Sequence, residues 1–282
     1  MAARKVKHEE GTLQGGHGSL YRQSWRPAGG APKAAVAIVH GYAEHSGRYE
    51  WVGNKLASAG FAVHAFDLRG HGRSDGPRVL IRHMKEFVSD VDVFLAHVRE
   101  AEPGRPLFLL GHSMGGLISS YYTAAKRPEL AGLVLSGPAV TPPSRTRKAM
   151  GALFGAIARV KPDLGVRTLA ADTVSRDPEV VAAYDSDPLV YRGKMPAATI
   201  AAMVGASKRL AANAGRITVP LYIAHGEADE LCEPRGSRRL ARLARSKEKE
   251  VHFYPELAHE VLNEPEKERV LADMETWMEA RL

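Results

Sequence analysis

The chain has 282 residues, 44% hydrophobic and 25% charged, which is enough apolar material for a large core and excludes global disorder. Basic residues number 39 and acidic residues 32, a net charge of +7. The basic ones fall in short groups such as Arg145–Lys148 and Arg235–Arg239 with acids between most of them, so they read as a solvated surface and no nucleic-acid partner is expected. The single cysteine, Cys232, excludes an intrachain disulfide framework and a cysteine-based metal site, and its default role is a small apolar filler.

The first ten residues contain no apolar stretch, so no secretory leader is expected. No apolar run approaches the roughly 18–20 residues that span a bilayer. A cytoplasmic or peripherally membrane-associated protein is the expectation.

Two short runs, Gly11–Gln14 and Leu20–Trp25, flank Gly15-Gly16-His17-Gly18 and predict an antiparallel hairpin. Strand-length apolar runs follow at Ala35–His40, Phe61–Phe66, Leu107–Leu110, Leu133–Ser136, Val219–Ala224 and Val251–Tyr254. Their near-continuous hydrophobicity is that of parallel strands covered on both faces. Helical periodicity at Val88, Val91, Phe94, Leu95 and Val98, and again at Leu262, Val270, Met274, Trp277 and Met278, supplies the intervening helices. Alternation of this kind predicts an α/β fold with a mostly parallel, eight-stranded sheet flanked by helices.

Between about residues 140 and 216 the rhythm breaks: Pro142-Pro143 opens the segment, no convincing strand is present, and helical stretches dominate. The expected organisation is a core from residues 1–139, a helical cap insertion from 140–216, and a return to the core from 217–282. Within the insertion Met150, Leu153, Phe154, Ile157 and Val160 recur at helical spacing. Such a stripe serves either to pack the insertion on the core or to gate an acyl tunnel and touch lipid.

The strongest chemical signal is Gly111-x-Ser113-x-Gly115, placed directly after a strand and before a helical pattern. A turn that tight leaves no room for side chains two residues either side of the serine, and it projects the hydroxyl above the sheet. The helix that follows favours negative charge at its amino end, which makes the Met114 N–H a candidate oxyanion donor. A serine hydroxyl needs a base, and the base an orienting carboxylate. In this arrangement the chain order is serine, acid, histidine. Asp229 follows the strand at Val219–Ala224, and His259 lies five residues beyond Tyr254, both in loops at the carboxyl ends of strands. His225, His252, Glu227 and Glu230 are nearby competitors in less suitable positions. The second oxyanion donor is expected after the first long parallel strand, at the Tyr42 N–H.

His40-Gly-Tyr-Ala-Glu-His-Ser-Gly-Arg-Tyr49, Asp67-Leu-Arg-Gly-His-Gly-Arg-Ser74 and Gly111-His-Ser-Met-Gly-Gly116 resemble the monoacylglycerol lipases of the α/β-hydrolase superfamily. So do Ser175-Arg-Asp-Pro-Glu179, Tyr184-Asp-Ser-Asp-Pro-Leu189 and His225-Gly-Glu-Ala-Asp-Glu-Leu-Cys232. The segment His259-Glu-Val-Leu-Asn-Glu-Pro265 looks most like actinobacterial-type members. The resemblance implies an α/β-hydrolase fold and cleavage of monoacylglycerol to glycerol and fatty acid, with no cofactor, no metal and no obligate protein partner. It implies Ser113, Asp229 and His259 as catalytic residues, Tyr42 and Met114 as oxyanion donors, and Glu44, Arg48, His112 and Tyr184 around the glycerol end of the pocket. Other readings of those last four stay open: Glu44 and Arg48 at a spacing of four can form a salt bridge, His112 can pack at the elbow, and a core tyrosine can meet backbone groups. The loop departs from the mammalian pattern at Tyr42 and Ala43, where a small residue and glycine are usual. The alternative activity is a broader carboxylesterase or lysophospholipase with the same catalytic residues.

Overall fold

The structure, a computed structural model, describes residues 5–16, 18–140 and 145–282. His17 in the expected hairpin turn, Pro142-Pro143, and the side chains of Arg145–Lys148 and Met150 lie outside the described residues.

The elements in chain order are β1 (Val6–Gly15), β2 (Gly18–Pro27), β3 (Ala35–Val39), α1 (Glu50–Ser58), β4 (Ala62–Phe66), α2 (Met84–Ala101), β5 (Leu107–His112), α3 (Met114–Lys126) and β6 (Gly132–Ser136). They continue with α4 (Arg145–Val160), β7 (Gly165–Arg167), α5 (Pro178–Ser186), β8 (Met195–Pro196), α6 (Ala197–Asn213), β9 (Leu221–Gly226), α7 (Pro234–Leu243), β10 (Lys249–Tyr254) and α8 (Lys267–Glu279). Eight strands form one sheet in the order β1-β2-β4-β3-β5-β6-β9-β10. The hairpin β1–β2 is antiparallel and β2 meets β4 antiparallel, whereas β4, β3, β5, β6, β9 and β10 run parallel to one another.

The period of two along each strand divides the core into two layers. Ala35, Ala37 and Val39 of β3, Leu107 and Leu109 of β5, and Leu221 and Ile223 of β9 face one cluster, with Phe94 of α2, Leu117 of α3 and Leu210 of α6. Val36 and Ile38, Phe108 and Leu110, and Tyr222 and Ala224 face the other, against Leu56 of α1 and Met274 and Trp277 of α8. Fully burying each large apolar side chain contributes roughly 1.5–3 kcal/mol, so a register slip of one residue would exchange the two layers and is strongly disfavoured.

Between β6 and β9 no strand joins the main sheet. The expectation of no strand there needs one amendment: β7 and β8 pair antiparallel in a two-stranded ribbon of their own. Their brevity, three and two residues, leaves no alternation in the sequence to read. Ser175-Arg-Asp-Pro-Glu179 is a helix start: Asp177 caps α5 by accepting from the Glu179 N–H at 2.9 Å, and Pro178 occupies the first turn. No helix among the described residues is long and apolar enough to cross a membrane.

Candidate active site

Ser113 sits between β5 and α3 with φ 51° and ψ −118°, a conformation L-residues avoid unless their surroundings impose it. The flanking glycines explain how it is imposed. A Cβ on Gly115 would lie 2.0 Å from the Val39 carbonyl oxygen, and one on Gly111 would lie 2.6 Å from that of Gly115. The chain therefore passes from strand to helix at a separation only glycine permits. The Ser113 N–H donates to the Ser136 carbonyl at 2.9 Å, which ties the turn to the neighbouring strand. Ser113 lines a cavity of about 360 Å3 together with Gly41, Tyr42, His112 and His259.

His259 and Asp229 come from the loops after β10 and β9. The Nδ1 of His259 lies 2.7 Å from Asp229 Oδ2. A carboxylate only accepts, so Nδ1 carries the proton and Nε2 keeps its lone pair. The remaining lone pairs of Asp229 are also engaged: Oδ1 accepts the N–H groups of Leu231 and Cys232, each at 2.8 Å. Burial works against ionised Asp229, but the charge of His259, the hydrogen bonds from both His225 and His259, and the Cys232 N–H hold its carboxyl well below the usual carboxylate range. Burial likewise opposes a charged His259. The Asp229 charge and hydrogen bond outweigh it, with Glu260 and Glu44 adding, and the imidazole is raised above its ordinary value. The Ser113 hydroxyl and the His259 ring border one cavity with no hydrogen bond between them, a contact that tightens in many hydrolases only when substrate is present.

Among the described residues neither the Tyr42 N–H nor the Met114 N–H donates to another group. Tyr42 follows Gly41, whose own N–H is held at 2.6 Å by Glu44 Oε1, and Met114 opens α3. Asp67 supports this loop from below, with Oδ1 accepting the Ser46 N–H at 2.7 Å and the Ser46 hydroxyl at 2.6 Å. The Asp67–Ser74 motif is thus a scaffold for the Gly41–Ser46 loop.

The four residues expected at a glycerol end do come together, though largely on one another. The Arg48 guanidinium donates to Glu44 at 3.0 Å and forks onto Glu260 at 2.6 and 2.7 Å, and its carbon lies 4.7 Å from the centre of the Tyr184 ring. Glu44 also accepts from the Tyr49 hydroxyl at 2.9 Å. The salt-bridge reading of Glu44 and Arg48 is therefore realised. The Tyr184 hydroxyl is buried without a partner among the described residues, beside the cavity. His112 rests with Nδ1 3.1 Å from the Ser136 carbonyl oxygen, its ring centre 4.9 Å from that of His259. Burial, then the nearby charge of His259, push it down to about 4, so it stays neutral.

Glu260 went unnoticed in the sequence because its partner is 212 positions away; its adjacency to His259 was the one available signal. Its carboxyl is held down to about 2 by Arg48 against the effect of burial. The other wall of the cavity is apolar, with Phe154 from α4, Leu169, and Ile200, Met203 and Val204 from α6. Cys232 lines it too; burial, then the Asp229 charge, push its thiol up, so it is not a thiolate at neutral pH.

Residues 30–266 match the Hydrolase_4 family, described as serine aminopeptidase, S33. The chain belongs to this α/β-hydrolase family. A monoacylglycerol lipase of Mycolicibacterium smegmatis is 42% identical over 251 residues, covering 89% of this chain and 90% of the relative. A human monoglyceride lipase is 36% identical, covering 86% of this chain and 80% of the relative. Among solved α/β-hydrolases, the monoacylglycerol lipase of Paleococcus ferrophilus superposes with a TM-score of 0.82 at 32% identity, over 93% of this chain and 99% of that one.

Proposed function

We propose that this α/β-hydrolase is a monoacylglycerol lipase, cleaving its substrate to glycerol and a free fatty acid through an acyl-enzyme on Ser113. The observation that carries the reading is the pairing, at one cavity, of a strained serine at a strand-to-helix turn with a buried histidine whose Nδ1 is bonded to Asp229. Similarity to lipases of this name over most of the chain supports the substrate.

In the proposed reaction Nε2 of His259 takes the Ser113 proton as the hydroxyl oxygen attacks the ester carbonyl. The Tyr42 and Met114 N–H groups receive the developing oxyanion, each worth about 2.7–4 kcal/mol in the transition state. Collapse of the tetrahedral species expels glycerol, which leaves with the proton from His259. Water then gives its proton to Nε2 and attacks the acyl-enzyme, and fatty acid departs as Ser113 recovers the proton. Asp229 stays ionised and fixes the imidazole tautomer. No cofactor or metal is required by these steps.

Glu44, His112 and Tyr184 are assigned to the glycerol end, with Tyr184 offering its unpartnered hydroxyl to the substrate and Arg48 acting through its neighbours. The acyl chain is assigned to the apolar wall. Residues 140–216 serve as the cap, and its helix α4 touches lipid transiently: Leu153 is 57% and Val160 88% exposed, while Phe154 of the same helix lines the cavity. A cytoplasmic protein meeting membranes peripherally fits this picture.

The test is a panel of monoacylglycerols, a diacylglycerol and a lysophospholipid, with Ser113→Ala as control. Preferential monoacylglycerol turnover, with loss of both turnover and fluorophosphonate labelling in the folded variant, is expected. Labelling that persists in Ser113→Ala would refute the nucleophile, and faster lysophospholipid turnover would refute the substrate.

A further inference from the structure

A second imidazole reaches Asp229. His225 lies at the end of β9, is fully buried, and places Nε2 3.1 Å from Asp229 Oδ2. The same nitrogen is 2.8 Å from the Cys232 carbonyl oxygen, and Nδ1 is 2.7 Å from the Ser237 hydroxyl on α7. A carbonyl and a carboxylate both accept, so Nε2 carries the hydrogen and shares it between them. Nδ1 is then the acceptor, and Ser237 donates to it. A single neutral tautomer satisfies every contact, and Oδ2 of Asp229 receives two imidazole N–H groups, from His259 and from His225.

We propose that His225, held by Ser237, is a positioning residue for hydrolysis, its Nε2–H fixing the Asp229 carboxylate and moderating how strongly that carboxylate draws on His259. The proposal rests on the reading of Asp229 and His259 as orienting acid and base. The chemistry sets the direction of the effect. A carboxylate oxygen sharing its electron density between two donors is a weaker acceptor for each. Without His225, Oδ2 has one donor fewer, bonds the His259 Nδ1–H more strongly, and stabilises the imidazolium further. The base becomes harder to deprotonate, and less of it is ready at neutral pH. The other groups facing the pair are His112 at the end of β5, Glu44 in the loop after β3, Glu260 beside His259, and the Cys232 thiol, with Arg48 behind the two glutamates. All of these remain when His225 is replaced, so a shift reports on His225 itself.

The experiment compares His225→Leu, His225→Gln and Ser237→Ala with the unmodified chain by two readouts. One is the NMR titration of the His259 ring in a Ser113→Ala background, which needs no turnover. The other is kcat/KM for a soluble ester against pH. Expected for His225→Leu are an upward displacement of the His259 titration and of the acidic limb by about half a unit or more, and on the acidic limb a matching loss of kcat/KM of about threefold for each half unit. Glutamine, whose amide N–H can occupy the place of Nε2–H, recovers most of both effects, and Ser237→Ala shows a smaller displacement in the same direction. An unmoved titration in His225→Leu, or glutamine no better than leucine, overturns the proposal and leaves His225 as packing. Should the leucine variant not fold, Ser237→Ala decides: it removes only the hydroxyl at Nδ1, and an unmoved His259 titration in that folded variant overturns the proposal as well. Failure of the catalytic reading shows separately, as fluorophosphonate labelling that survives Ser113→Ala.

Discussion

Arg48 and Glu260, 212 positions apart, form a two-pronged ion pair at 2.6 and 2.7 Å that joins the loop after β3 to the loop carrying His259. From Arg48 the connection continues through Glu44 to the Gly41 N–H. On the other side of His259, Glu264 Oε2 accepts the Ala258 N–H at 3.2 Å, and the same carboxylate grips Arg176 through its backbone N–H at 2.7 Å and its Nε at 2.5 Å. The His259 loop is thus clamped between two buried carboxylates. One clamp leads to the proposed oxyanion loop and the other to Arg176, just ahead of α5.

Breaking one half of such a pair is costly because the survivor remains buried and charged. Arg48→Met is expected to destabilise the fold by about 3–5 kcal/mol, whereas Arg48→Met with Glu260→Leu loses less than Arg48→Met alone. Urea unfolding of the variants checks this, and a double variant no better than the single would show that charge burial is not the cause.

Strain at Ser113 makes the opposite prediction. Its φ of 51° suits glycine, so Ser113→Gly is expected to raise stability by about 1 kcal/mol or more, while Ser113→Ala, with a Cβ in the same place, gains none of that relief. Equal urea midpoints for the two variants would mean the backbone stores no strain there.

On α4 Leu153 is exposed and Phe154 lines the cavity, and the roles proposed for them can be tested separately. Leu153→Glu is expected to weaken binding to phospholipid vesicles while turnover of a soluble short-chain ester persists. Phe154→Ala is expected to alter the preference for acyl length and leave vesicle binding largely intact. Equal loss of vesicle binding and ester turnover in Leu153→Glu would show that the residue merely packs α4 in place.

Activity against pH follows from His259. As the proposed base His259 must be neutral in the free enzyme, and because burial is outweighed by Asp229 and the group is raised above its ordinary 6.5, the acidic half-point of kcat/KM is expected above pH 6.5. Asp229→Asn removes the charge that opposes burial, so the half-point falls while kcat drops, by about 10⁴-fold where such a change has reversed the tautomer. A half-point below 6.5 in the unmodified chain would contradict the arrangement.

Stability against pH carries the other sign on the acid side. Burial lowers His40 to about 4, His71 to about 3 and His112 to about 4, so between those values and 6.5 the unfolded chain binds more protons than the folded one. Stability therefore falls as pH drops below about 6.5. Glu260, held at about 2, adds a further loss as pH falls below its unfolded value of 4.5. His259, being raised, acts in reverse: its contribution is present below 6.5 and disappears as pH climbs through its folded value. A urea midpoint that declines steeply from pH 6.5 to 4 is the expected result, and a flat profile there would exclude neutral buried histidines.

Much of this was legible in the chain itself. The parallel strands are continuous apolar runs because both faces are covered, and the Gly-x-Ser-x-Gly turn is readable because no side chain fits within 2–3 Å of a neighbouring carbonyl. These are local constraints, written within a dozen residues. The meeting of Ser113, Asp229 and His259 at one sheet edge was legible for a related reason: each follows a strand, and a parallel sheet delivers all such loops to one edge.

What the tertiary structure decided are the pairings between those loops. Nothing local to Glu260 announces Arg48, nothing local to Glu264 announces Arg176, and the spacing of four between His225 and Asp229 becomes a contact only because the chain turns back at the end of β9. Side-chain hydrogen bonds and ion pairs reach a few ångströms in space but carry no period along the chain, so which carboxylate meets which cation is settled by how the loops fold over the sheet edge.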